Sequence, residues 1–287
     1  AYSPGVAAAC MEIADDPATA ADYTIRSNLV AVITNGTAVL GLGNIGALAA
    51  KPVMEGKGVL FKKFADVNVF DIEVAETDPQ KFIDIVASLE PTFGGINLED
   101  IKSPECFVIE KALRERMKIP VFHDDQHGTA IVLLAALINA AKVTGRDLSD
   151  INVVINGAGA AGTAIAKLLL GIGVDSGGVA PVNDVVVCDS KGAIHAGRDN
   201  LNPSKQALLE FTNKSGKTGT IKEVLAGMDV FIGVSRGNII DADDVRTMAD
   251  KAIILAMANP TPEIMPDEAK KGGAAVIGTG RSDFPNQ

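Results

Sequence analysis

The sequence predicts an α/β fold in two domains, the second a doubly wound parallel sheet. Three observations lead there. The second half alternates short apolar runs with helical segments, the pattern of β-α-β units. The first half mixes short β-branched runs, broken by glycine, with helices of clear apolar periodicity. Between the halves, Gly145-Arg146-Asp147-Leu148-Ser149-Asp150 is polar and turn-prone, a natural boundary.

In the first half, Leu29 to Ile33 and Thr37 to Leu40 flank Thr34-Asn35-Gly36, a short-range hairpin signal. Gly41, Gly43 and Gly46 lead into a helix expected from Ala47 to Glu55. Gly58 to Phe61 and Val69 to Ile72 read as strands. Asp78-Pro79 opens a helix with proline at its first position, its apolar face carried by Phe82, Ile85, Val86 and Leu89. Further helices are expected over Pro104 to Met117 and Thr129 to Val143, the latter mostly buried.

In the second half, strands are expected at Ile151 to Asn156, Asp184 to Cys188, Asp229 to Val234, Ala252 to Met257 and Ala274 to Ile277. Helices fit at Ala160 to Leu170, Pro203 to Lys214, Thr220 to Ala226, Asp241 to Asp250 and Pro266 to Lys271. The glycine-rich stretch Gly171 to Pro181 reads as a long loop. No internal repeat is evident.

Composition narrows the function classes. The 287 residues are 47% hydrophobic and 22% charged, a globular balance. A net charge of −10 and only 4% aromatics argue against nucleic acid or an anionic membrane surface as partner. No uncharged apolar run reaches the ~18 residues of a membrane span, and no signal peptide is visible. The three scattered cysteines, Cys10, Cys106 and Cys188, suit reduced thiols in the cytoplasm. Both ends, Ala1-Tyr2-Ser3-Pro4-Gly5 and Pro285-Asn286-Gln287, read as interiors of a longer chain.

Gly157-Ala158-Gly159-Ala160-Ala161-Gly162 matches G-x-G-x-x-G. The pattern alone is common. Here it follows an apolar strand and opens an alanine-rich helix, the setting of a Rossmann-like dinucleotide site. Gly157 permits the tight turn, Gly159 lets the backbone approach a pyrophosphate, and Gly162 lets the helix approach the sheet. Asp189 stands where an acid accepts hydrogen bonds from a ribose, a cue for NAD. Lys191, after Ser190, suits a 2′-phosphate, a cue for NADP. Ser235 and Asn259 fall at expected carboxyl ends of strands, where ligands bind in such sheets.

Glu99-Asp100 and Asp124-Asp125 are acidic pairs set in apolar surroundings. Carboxylates beside core segments need compensation. Several of them without a cysteine set suit Mg²⁺ or Mn²⁺. Both members of a pair reach one ion only where the backbone turns, and Gly94-Gly95 and Gly128 make irregular backbone plausible. His123 and His127 have the i, i+4 spacing of a zinc pair, but Gly128 and an Asp124-Asp125 turn argue against a continuous helix there. Solvated loop carboxylates are the alternative reading of the acidic pairs.

Further segments carry a resemblance. They are Tyr2-Ser3-Pro4-Gly5-Val6-Ala7, Asn35-Gly36-Thr37-Ala38-Val39-Leu40-Gly41-Leu42-Gly43 and Pro52-Val53-Met54-Glu55-Gly56-Lys57. To these add Phe93 to Asp100, Phe122 to Thr129, the glycine motif and Thr279 to Gln287. In this order, across essentially the whole chain, they resemble bacterial malic enzymes of the larger, NADP-preferring type. The resemblance implies an N-terminal α/β substrate and metal domain (residues 1–146) and a Rossmann-like NAD(P)-binding domain (147–287) cut short at its end. It implies oxidative decarboxylation of L-malate to pyruvate and CO₂. Glu99, Asp100 and Asp125 match metal positions. Lys57 matches the general base, Tyr2 the general acid, Asp124 an acid beside the metal, and Asn259 a substrate or nicotinamide contact. The turn Cys188-Asp189-Ser190-Lys191-Gly192 resembles NADP-preferring members. A homo-oligomer, dimer or larger, is implied. Asn35 and Asn44 stand where many relatives carry aspartate, a mark of subtype, and one substrate-contacting asparagine of the family lies past Gln287. A non-catalytic nucleotide-binding or oligomer-forming module and a metal-dependent oxaloacetate decarboxylase are the alternatives.

Overall fold

The structure is a computed structural model, and it describes residues 2–39, 41–173 and 178–286. The chain splits into two compact units, Ala1–Asp124 and Asp125–Gln287. This division falls some twenty residues before the expected boundary at 146/147.

The first unit begins with α1 (Val6–Asp15) and α2 (Ala20–Tyr23), neither of which buries a residue. There follow β1 (Leu29–Thr34), α3 (Ala47–Ala65), β2 (Asn68–Glu73), α4 (Pro79–Ser88), β3 (Gly95–Leu98), α5 (Glu105–Arg116) and β4 (Val121–His123). The strands form one parallel sheet in the order β2-β1-β3-β4. Parallel neighbours need crossover connections, and the helices supply them. Inward residues such as Ala31, Ile33, Phe82, Val86, Leu98 and Leu113 are buried.

Three expectations fail here. Asn35-Gly36 turns the chain, but no hairpin follows. Both edges of β1 are already taken by β2 and β3, so nothing remains for a returning strand to pair with. The loop instead comes back at Ile45 and Gly46, whose amides donate to the Gly36 carbonyl at 3.2 and 3.1 Å. Gly36 has φ +66°, and a Cβ there would lie 2.2 Å from the Gly46 oxygen. Leu40, at the end of the expected second strand, lies outside the described residues. Gly58 to Phe61 is not a strand but part of α3. Gly58 brings that helix against β2, since a Cβ would already lie 3.3 Å from Val69 Cγ1. In α4 the buried face is Phe82, Ile83 and Val86, while Ile85 is exposed.

The second unit holds α6 (Asp124–Thr144, beginning on the last residue of the first), β5 (Asn152–Asn156), α7 (Ala160–Leu169), β6 (Asp184–Asp189) and β7 (Gly192–Ala193). It continues with α8 (Pro203–Leu208), α9 (Ile221–Leu225), β8 (Val230–Gly233), α10 (Ala242–Arg246), β9 (Ile253–Ala256), α11 (Pro266–Lys271) and β10 (Val276–Gly278). The sheet order is β10-β9-β8-β5-β6-β7, parallel except for the short β7. Strand order reverses direction at β5, which puts a crevice between β5 and β8 at their carboxyl ends. Successive residues face opposite sides. Val153 and Ile155 enter one core, Val154 the other.

Helix α6 explains the shifted boundary. Its Ala130, Leu133, Leu137, Ala140 and Ala141 pack in the same core as Val153, Ile155 and Ile165. By length and composition α6 is apolar enough to cross a membrane, but this face is spent inside the unit. The expected turn falls at His123-Asp124, where β4 passes directly into α6. The helix runs straight through Gly128, and His123 lies on β4, so His123 and His127 do not share a helix. Residues 174–177 of the expected Gly171 to Pro181 loop lie outside the described residues.

Candidate active site

Glu99 and Asp100 follow directly on β3, in the middle of the first sheet. The Glu99 amide donates to Ile33 O at 3.0 Å, continuing the ladder for one residue, and Asp100 then adopts φ +55°. Aspartate tolerates that left-handed conformation better than most residues. This is the backbone turn that two adjacent carboxylates need in order to face one point. Asp124 and Asp125 form the first turn of α6, directly after β4.

One oxygen each from Glu99, Asp100 and Asp125 lie within 4.8 Å of one another. Glu99 and Asp100 are 5% and 1% exposed. Three hard oxygen donors converging in a buried place fit a divalent cation such as Mg²⁺ or Mn²⁺, which neutralises charge that burial alone makes costly. Asn97 Nδ2 donates to Glu99 Oε2 at 2.8 Å and orients that carboxylate.

Lys57, on α3, reaches the same carboxylates. Its Nζ is 2.8 Å from Asp124 Oδ2 and 3.1 Å from Glu99 Oε1. Burial works to lower the Lys57 pKa, but the charges and hydrogen bonds of Glu99 and Asp124 outweigh it and hold the ammonium above the ordinary lysine range. Tyr2 stands apart. It is 85% exposed, and its side chain contacts none of these groups among the described residues.

The second unit carries the glycine motif at the turn from β5 to α7. Gly157 has φ +135°, and a Cβ there would lie 2.8 Å from the Val234 carbonyl. A Cβ on Gly162 would lie 1.8 Å from the Gly157 oxygen. Gly159 caps α7 with open space beside it, and Ala160 and Ala161 form the helix's first turn. An open crevice of about 670 Å³ is lined by Gly157 to Gly159, Asp189 to Lys191, Lys205, Val234 and Ser235. Amides at the N-terminus of a helix opening onto such a crevice can receive an anion.

Asp189 accepts four hydrogen bonds from its own chain. Arg198 holds both its oxygens at 2.9 and 3.0 Å, Lys205 Nζ donates to Oδ2 at 2.6 Å, and the Lys191 amide donates to Oδ1 at 2.9 Å. Burial pushes the Asp189 carboxyl up, but the hydrogen bonds from Arg198 and Lys205 outweigh it and hold it well below the usual carboxylate range. Ser235 Oγ accepts from Asn156 Nδ2 at 2.7 Å, and Asn259 is exposed after β9.

Comparison with known proteins agrees with this division. The pattern of the malic enzyme N-terminal domain matches residues 1–114, and that of the malic enzyme NAD binding domain matches residues 126–285. The chain belongs to the malic enzyme family. It is 59% identical to the NADP-dependent malic enzyme of Salmonella typhimurium, all of this chain matching 37% of that protein. The bifunctional malic/malolactic enzyme of Bacillus subtilis is 56% identical, with 68% of its length covered. Among solved structures, the NAD-dependent malic enzyme of Thermotoga maritima superposes with a TM-score of 0.94 at 49% identity, over all of this chain and 74% of that one. This malic enzyme chain thus spans little more than a third of the Salmonella relative.

Sequence reasoning missed Arg198, Lys205, Asn156 and Glu263. The first two sit downstream of the strand whose end they complete, with no motif linking them to Asp189. Glu263 follows Pro260-Thr261-Pro262 in what reads as a plain turn.

Proposed function

We propose that the chain oxidises and decarboxylates L-malate to pyruvate and CO₂ with NADP⁺ as acceptor. The observation that carries this reading is the Lys57 amine within 3.1 Å of both Glu99 and Asp124, beside the Glu99, Asp100 and Asp125 cluster.

In this reaction C2 of malate loses a hydride to NADP⁺, its hydroxyl loses a proton, the C3–C4 bond breaks to release CO₂, and C3 gains a proton. A divalent cation held by Glu99, Asp100 and Asp125 supplies Lewis-acid polarisation of the substrate oxygens when bound. Lys57 is the base for the hydroxyl proton. Its ammonium must first give a proton away, and Asp124, hydrogen-bonded to it at 2.8 Å, is placed to take it. Tyr2 serves as the acid that returns a proton to C3, in the role the family resemblance implies. The partial positive charge at the α7 N-terminus, with the amides of Gly159, Ala160 and Ala161, holds the pyrophosphate. Ser235 and Asn259 are read as contacts to the nicotinamide half or the substrate.

NADP is favoured over NAD by the state of Asp189. One carboxylate faces Arg198 and Lys205, with Lys191 on the same crevice, so the local balance is positive. A positive cluster suits a 2′-phosphate, whereas a ribose diol needs the free acceptors that Asp189 lacks. The three cysteines are free, which suits a reduced, cytoplasmic compartment. Exposed Tyr2, Val6, Met11 and Phe64 suit a homo-oligomer.

The test is malate oxidation followed at the reduced-nicotinamide absorbance, with NADP⁺ and NAD⁺ side by side, with and without Mn²⁺. Metal-dependent NADPH formation with release of CO₂ is expected. Oxaloacetate decarboxylation without any reduced nicotinamide from malate would overturn the reading.

A further inference from the structure

We propose that Glu263 is a positioning residue that locks two strand-end loops together, the crevice-lining one after β8 and the neighbouring one after β9. This rests on the function proposed above. Glu263 is fully buried, and among the described residues no lysine, arginine or histidine pairs with it. Its oxygens are spent on main chain. Oε1 accepts from the Ser235 amide at 2.9 Å, and Oε2 from the Ala258 amide at 3.0 Å. Two amides from two loops thus converge on one acceptor-only group.

The surroundings are built for that carboxylate. A Cβ on Gly233 would lie 2.2 Å from Glu263 Cδ, so the last residue of β8 is a glycine where the carboxylate passes. The Glu263 carbonyl accepts from the Ile239 amide, and the Pro262 carbonyl from the Asn238 amide, at 2.9 and 3.1 Å. Gly237 packs under Thr261, with a Cβ position 2.6 Å from the Thr261 oxygen. The segment around Glu263 is therefore seated along the whole β8 loop.

The clamp bears on the nucleotide through short links. Ser235 accepts from Asn156, and the Val234 amide donates to Asn156 O at 3.0 Å, which ties the loop to the end of β5. The Gly157 turn lies directly against the Val234 carbonyl. On the other side, Ala258 precedes Asn259. Shifting the β8 loop moves Val234 and Ser235, which line the crevice, and shifting the β9 loop moves Asn259; the buried Glu263 is not itself part of the crevice lining.

A space-filling role and a clamping role separate on Glu263→Gln. Glutamine keeps the volume but turns one oxygen into an NH₂, which sets a donor against a backbone donor. In the full-length protein, Glu263→Gln is expected to weaken NADPH binding about tenfold or more and to lower kcat with it. Mn²⁺ binding without nucleotide should stay unchanged. Wild-type NADPH affinity and kcat in a folded Glu263→Gln protein would overturn the clamp. Hydrogen exchange on the wild type needs no variant: the Ser235 and Ala258 amides should be strongly protected without NADPH, and fast exchange there would also overturn it. NADPH binding by the wild type is the control, since its failure there sinks the proposed function, whereas the exchange result judges the clamp on its own.

Discussion

In the first unit the chemistry sits on side chains, and in the second on main chain. Glu99 and Asp100 are buried carboxylates, and the part-buried Lys57 amine pairs with Glu99. The glycine turn after β5 works the other way. Gly157, Gly159 and Gly162 contribute no side chain, and they leave room for backbone amides to meet an anion. The first site therefore tolerates almost no change of functional group and the second almost no added atom.

Lys57→Ala is the sharpest probe of that contrast. If Lys57 is the base proposed above, malate turnover should fall by roughly 10³-fold or more, while NADPH binding stays within about twofold. Substantial residual turnover would mean that the first site does not depend on this amine. Gly162→Ala is the counterpart. Its methyl has no room beside the Gly157 oxygen, so NADPH affinity should drop about 100-fold, equivalent to losing several phosphate hydrogen bonds. Mn²⁺ binding should not move, and parallel losses of both ligands would erase the distinction between the two sites.

Asp100→Asn tests the acidic side alone. Asparagine also accepts a positive φ, so the turn survives while a charge is lost. Mn²⁺ affinity should fall about tenfold or more, measured by calorimetry, with NADPH binding retained. Lys191→Ala should cost NADP⁺ about tenfold in affinity and leave NAD⁺ unaffected; equal effects on both would argue against a 2′-phosphate at that lysine. The smallest effect concerns the thiols. Burial pushes the Cys188 thiol up to about 12, so its thiolate is scarce at neutral pH and grows only as pH rises. Exposed Cys10 should react with a thiol reagent at pH 8 while Cys106 and Cys188 stay unmodified, checked by mass spectrometry.

Much of this was legible in advance where one local rule decides the structure. Asp78-Pro79 opened a helix as capping chemistry requires, and Pro266 to Lys271 formed where helical pattern and proline coincide. The Gly157 to Gly162 motif followed its strand. Legibility failed where a neighbour decides. Asn35-Gly36 reads as a hairpin until β2 and β3 occupy both edges of β1. Gly58 to Phe61 reads as a strand until Val69 of β2 shows why a glycine belongs in that helix.

From residue types and spacing alone came the α/β class, the parallel second sheet, the dinucleotide turn and the acidic pairs. These depend on hydrophobic period, glycine freedom and charge beside apolar runs, all properties of contiguous residues. Tertiary structure decided the rest: which carboxylates converge, that Lys57 reaches two of them, that Asp189 is claimed by Arg198 and Lys205, and that Glu263 joins two loops. Each of those is a contact between segments far apart in the chain. Short-range pattern carries no information about such distances, because they are set by how sheets and helices pack.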